Sequence, residues 1–174
     1  MEVLQMYPAE YLEYLVYFHA DRDYFECHEI LEEYWKEQGM NNLVWVGLIQ
    51  IAVSQYHYRR GNMAGAYKML YSAISLLEQK QNEVEQLGFH ASELLTLLNK
   101  NLQSMNDNMP YHSLQLPLKE PVIKECQSLC SQRGVIWGTT SDLSNEFLLH
   151  KHTLRDRSDV VQERSKQAQL KKRS

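Results

Sequence analysis

Leu43-Val44-Trp45-Val46-Gly47-Leu48-Ile49-Gln50-Ile51-Ala52-Val53 is the most apolar stretch of the chain. Gly47 and Gln50 interrupt it, and at this length it is too short to cross a bilayer. It lies inside a longer helical pattern, from about Asn42 to Arg60, that stops at Gly61-Asn62. Its apolar residues leave no wet face. A helix apolar almost all round is normally surrounded by other helices. That reading fixes the fold class as all-α, an antiparallel helical bundle.

Working outward, the neighbours supply the surrounding helices. Pro8 suits a first helical turn, and Leu12, Leu15 and Val16 follow at helical spacing over about 8–20. Asp21-Arg22-Asp23 reads as a turn. Asp23 with Glu26 three residues later resembles a capping box that opens a second helix, ended by Gly39. Asn62 caps a fourth, about 63–81, with Ala66, Met69, Leu70, Ala73, Ile74 and Leu77 inward. A fifth covers about 91–105. Connections this short place neighbours antiparallel. From Asn106 to Pro117 two prolines and no periodicity predict an extended strap, followed by a helix at about 119–132 that ends at Gly134. The predicted organisation is a helical core over 1–105, a strap and added helix over 106–142, and a polar, basic helical or disordered tail over 143–174. No strand alternation occurs.

Length and composition agree. A chain of 174 residues can bury roughly 70% of its unfolded surface, so folding needs no metal or disulfide. Gly and Pro are few, 7 and 4. Three cysteines, without the two-residue spacing of a redox or zinc pair, point to a reduced, cytoplasmic protein. No secretory signal pattern opens the sequence. The net charge of −4 is uneven. Residues 150–174 carry eight Lys/Arg against three Asp/Glu, and the rest ten against nineteen. A basic end on an acidic body implies contact with something acidic: nucleic acid, a protein partner or the body itself. The one pure basic run, Lys171-Lys172-Arg173, is too short for a nucleic-acid signature. No phosphate loop, dinucleotide fingerprint or nucleophile elbow is present, so no nucleotide cofactor is expected.

The chemistry-bearing residues fall on the second and third helices. His28 and Glu32 are one turn apart, and Trp35 continues their stripe. Glu29 and Glu33 are rotated about 100° away. The tandem His28-Glu29 invites comparison with a zinc protease helix, but Glu32 stands where that helix needs its second histidine. On the third helix Gln50, Ser54 and His57 form one polar stripe. Antiparallel packing could bring the two stripes together, with His28, Glu32 and His57 as ligands. Gln50 would orient ligands or substrate, Tyr24 would line the site and Trp35 would exclude solvent. Two histidines and a carboxylate suit zinc with an open position, or iron. The competing reading is a histidine hydrogen-bonded to a glutamate inside the core, fixing helix register without metal. Cys126, Cys130 and His112 could make a second metal site, although free cysteines more often pack as small hydrophobes. Six tyrosines on the first two helices are candidates for either the core rim or a partner surface.

Asp23 to Trp35, then Gly47 to Val53, Tyr56-His57, Arg60-Gly61-Asn62 and Gly65-Ala66 together resemble the domain of unknown function 309 family of small bacterial and archaeal helical proteins. The resemblance covers about residues 10–105. It implies a pattern of His, three residues, Glu, two residues and Trp, followed by a later His. Those positions fall on His28, Glu32, Trp35 and His57. It also implies binding of a divalent metal such as zinc, iron or manganese, with no reaction assigned. The alternative expectation is a non-enzymatic interaction module with the tail as its contact element.

Overall fold

The computed structural model describes residues 7–151. Residues 1–6 and 152–174 lie outside the described part, and with them most of the predicted tail. Among the described residues the fold is all-α, with no strand and one isolated bridge between Phe89 and Leu118. The chain divides into two compact units, 1–141 and 142–174. The second contributes one short described helix, Glu146–Leu149.

In the first unit, α1 (Ala9–Val16) runs into a π-turn (Tyr17–Asp21), and Arg22 ends it in the left-handed conformation at φ 55°. The spacing predicts one helix to residue 20; the widened turn is the difference. It buries Phe18, His19 and Ala20 together. α2 spans Tyr24–Glu37, and the Asp23 side chain accepts the Glu26 N–H at its start, as the sequence pattern predicts. α3 (Leu43–Arg59) is capped by Asn42 and α4 (Met63–Glu78) by Asn62. The predicted fourth helix breaks at Gln79-Lys80, and a separate short α5 (Gln81–Gln86) follows. α6 is Ala91–Asn106 and α7 is Glu120–Arg133, ended by left-handed Gly134.

The apolar α3 is central, packed between α2 and α4. Ring contacts give the direction of its pairing with α2. Phe25 meets Tyr56 (6.3 Å between centroids) and Tyr34 meets Trp45 (5.4 Å), so the start of α2 lies against the end of α3. The Leu77 side chain of α4 lies directly on Gly47 of α3, where a Cβ would fall 2.9 Å from Leu77 Cδ2. Only hydrogen fits there without displacing the leucine. α6 packs on α4, and α7 packs on α1.

The segment after α6 is extended as expected, and its attachment is polar as well as apolar. Lys119 N–H donates to Gly88 O (2.7 Å) and His90 N–H to Pro117 O (2.9 Å). Leu114, Leu116 and Leu118 are buried beside these bonds. Of the six tyrosines at the first two helices, Tyr7, Tyr11, Tyr14 and Tyr24 are buried in the core, and Tyr17 and Tyr34 are half-buried at its edge. No helix among the described residues is long and apolar enough to cross a membrane.

Candidate functional site

α2 presents His28, Glu32 and Trp35 along one partly exposed stripe. His28 Nε2 lies 2.6 Å from Glu32 Oε2. The other carboxylate oxygen, Oε1, is 3.2 Å from Lys36 Nζ, a further turn along. His28 Nδ1 is 3.8 Å from Glu29, so Glu29 is not turned wholly away. The side chains of His28 and Glu32 are 27% and 33% exposed. The pair is therefore a rim contact, where a core network is the alternative the sequence offers.

His57 does not join this pair. The α2–α3 ring contacts set a register in which His28 is level with about Ala52 and His57 with about Asp23. Five residues of helix amount to roughly 7 Å along the axis. His57 is drawn instead to the end of its own helix, with Nδ1 3.3 Å from Asn62 Nδ2. The polar stripe of α3 also divides. Ser54 is buried and donates to Ala66 O of α4 at 2.7 Å. Gln50 is partly exposed, with a buried Oε1 that meets no donor, and Trp35 Nε1 is likewise buried without an acceptor. Among the described residues no group of three or more His, Cys, Asp or Glu side chains stands in an arrangement that could hold a metal. Two of the three proposed donors meet and the third stands apart, a set short of the three protein ligands of a catalytic zinc.

Tyr24, one turn before His28, belongs to a different cluster. It is fully buried, its hydroxyl is hydrogen-bonded to that of Tyr111 on the strap, and the Arg59 guanidinium stacks 4.5 Å over its ring. Burial holds its hydroxyl protonated, well above the usual phenol range. Arg59 donates to Arg22 O (2.6 Å) and to Ser141 Oγ (3.2 Å). Arg22 donates through Nε to Thr139 O (2.6 Å) and through Nη1 to Leu114 O (2.5 Å). Beside them His19 is fully buried. Leu116 N–H donates to its Nε2 at 3.1 Å, so Nδ1 carries the proton and donates to Leu15 O at 2.8 Å. Trp137 packs against the ring, 4.5 Å between centroids and tilted by 33°. Burial, and to a smaller extent the Arg22 charge, push the imidazole down to about 3.

This buried cluster escapes a reading of the sequence. Asp21-Arg22-Asp23 looks like an exposed charged turn, yet the π-turn tucks the arginine inward. Gln55, which donates to Asn101 of α6 at 2.8 Å, also escapes that reading, although an amide within an apolar helix is a signal for such a bond. The thiols carry no comparable chemistry. Cys27, Cys126 and Cys130 are buried, and burial pushes all three above the usual thiol range, Cys126 up to about 12. His112 is exposed and Cys126 and Cys130 are not.

The model for the domain of unknown function DUF309 matches residues 11–69. The chain is 46% identical over 172 residues to the uncharacterized protein YpuF of Bacillus subtilis (strain 168), covering 97% of this chain and 99% of that one. The similarity therefore extends through the strap and α7. No solved structure matches.

Proposed function

This chain belongs to the DUF309 family, and on that premise we propose that it is a non-enzymatic helical module that binds a protein partner. The observation that carries this reading is the pair Tyr67 and Tyr71 on α4. Their rings stack at 6.2 Å with 18° between planes, and the residues are 38% and 60% exposed. The opposite face of α4, Ala66, Leu70, Ala73, Ile74 and Leu77, is buried. Two adjacent, mutually ordered tyrosines lose little freedom on binding and offer both apolar area and hydroxyls, which is why tyrosine is enriched at interfaces. In this reading His28 and Glu32 form a surface clamp within α2, with Lys36 on the second oxygen. Residues 150–174 add charge for the same partner.

The test is quantitative capture of a partner identified with wild-type protein. Tyr67→Ser with Tyr71→Ser should abolish capture with little change in thermal stability. Removal of residues 150–174 should weaken it. A double variant that captures the same partner undiminished contradicts the reading.

A second reading keeps a divalent metal, zinc, iron or manganese, on His28 and Glu32. It is favoured by a histidine and a carboxylate one turn apart with side chains open to solvent on one edge, although their direct 2.6 Å contact would have to open to admit the ion. His57 would have to leave Asn62 to complete the set. Metal analysis of untagged protein separates the readings: stoichiometric metal that vanishes in both His28→Ala and His57→Ala supports this one.

A further inference from the structure

The chain runs parallel along the seam where α1 packs on α7. At one end Tyr7 and Val122 both lie against Gly88, where a Cβ would fall 2.1 Å from Val122 Cγ2 and 3.2 Å from Tyr7 Oη. At the other end Arg133 holds its guanidinium 4.5 Å over the Tyr17 ring and pairs with Asp21 at 2.8 Å. The seam thus already seats one arginine of α7 against an aromatic ring and a carboxylate.

Between these ends the seam opens into a cavity of about 230 Å³, lined by Ala9, Leu12, Glu13, Glu125, Ser128 and Leu129. Pockets for whole small ligands begin at roughly 300 Å³, so this one is sized for a single long side chain. Its walls are of two kinds. Ala9, Leu12 and Leu129 give an apolar lining, and Glu13 and Glu125 bring two carboxylates. Among the described residues no Lys, Arg or His side chain lies within ion-pair distance of either one. Glu125 is half-buried, and its Oε2 is enclosed with no donor. The fold leaves that charge uncompensated, which is costly. A cation inside the cavity compensates it from the side that Glu125 presents there, without reaching the enclosed oxygen. Lysine and arginine match both walls: a methylene stem for the leucines and a charged head for the carboxylates.

The surroundings suit a cation carried by a macromolecule. Residues 9–37 hold nine Asp/Glu against two Lys/Arg. Of those two, Arg22 is buried and Lys36 is already on Glu32. Burial and then the Glu10 charge raise the Tyr34 hydroxyl. Burial also raises that of Tyr17, Arg133 opposes the rise, and Glu26, Asp21 and Glu13 add to it. Carboxylates of α1 and α2 therefore form one acidic surface beside the pocket. A lone amine uses the pocket only, whereas a segment bearing several Lys/Arg uses the surface as well.

We propose that the pocket between Leu12 and Glu13 of α1 and Glu125 and Leu129 of α7 receives a lysine or arginine side chain from a basic segment of a protein partner. The inference does not rest on the tyrosine pair of α4.

The test uses the full chain and a capped oligolysine peptide, with binding followed by NMR chemical shifts at fixed ionic strength. Binding should saturate, and the amides of Leu12, Glu13, Glu125 and Leu129 should shift most. Glu13→Gln with Glu125→Gln should weaken it several-fold more than Glu33→Gln with Glu37→Gln, which removes the same charge from α2. A peptide of equal length built on 2,4-diaminobutyrate, whose stem is two methylenes shorter, should bind several-fold more weakly. Equal loss in the two double variants, or equal affinity for the two peptides, is general attraction to an acidic surface and overturns the pocket. So does an absence of saturable binding to the wild type. Spermidine binding as tightly as oligolysine overturns the protein partner in favour of a free polyamine. Binding that appears only after residues 150–174 are removed gives the pocket to the chain's own basic end and likewise overturns the partner. Tyr67→Ser with Tyr71→Ser should leave peptide binding unchanged, so failure of this inference and failure of the α4 surface are read separately.

Discussion

The imidazole of His19 accepts the backbone N–H of Leu116 at 3.1 Å, joining the π-turn after α1 to the strap 97 positions later. The bond requires a neutral ring, and burial holds the folded pKa down to about 3, against 6.5 for the exposed side chain. Between those values the unfolded chain binds the proton that the folded chain refuses. This group's contribution is therefore complete above about pH 6.5 and is lost as pH falls toward 3. Equilibrium denaturation across that range should show a loss of several kcal/mol. In His19→Phe that part of the pH dependence should disappear. An unchanged slope would remove His19 as its source.

Substitution at the same position also tests the strap. His19→Ala leaves Leu116 N–H without an acceptor and opens space beneath Trp137. The expected cost is about 2–4 kcal/mol. Hydrogen exchange should rise at Leu116 while α3 amides remain protected. Equal loosening of α3 would mean that the strap is not a separately attached element.

Gln55 and Asn101 tie α3 to α6 through one buried amide bond of 2.8 Å. Gln55→Leu alone strands Asn101 Oδ1 and should cost about 1–3 kcal/mol. Adding Asn101→Leu should restore part of that loss. A double-mutant cycle in urea measures the coupling, and strict additivity would refute it.

The three cysteines should resist a thiol reagent in the native state. All are buried, and their thiols sit above the usual range, so little thiolate is present near neutral pH. Labelling by a disulfide reagent should be slow in buffer and reach three equivalents in denaturant. Rapid native labelling of any one would contradict its burial.

The bundle was legible in the sequence because α3 is apolar almost all round, and because Asp23, Asn42 and Asn62 cap their helices where the pattern requires. The candidate site was legible only in part. The stripe of His28 and Glu32 follows from spacing within one helix, and it forms as expected. His57 depends on register between helices, and the pairing of Phe25 with Tyr56 and Tyr34 with Trp45 sets a register that spacing does not encode. His19, Arg22 and Arg59 were missed for a related reason. Their partners are backbone carbonyls, amides and hydroxyls of the strap, groups that every sequence contains and that leave no motif.

The contact between His28 and Glu32 is either a clamp within α2 or part of a metal site, and the most direct measurement is an NMR titration of the histidine ring signals with zinc in untagged protein. The clamp predicts that one equivalent of zinc leaves the His28 and His57 rings unshifted. It also predicts that Glu32→Gln costs less than about 1 kcal/mol, the range of exposed ion pairs. Saturation of both rings at one equivalent, abolished by His57→Ala, would contradict the clamp and establish the metal site in its place.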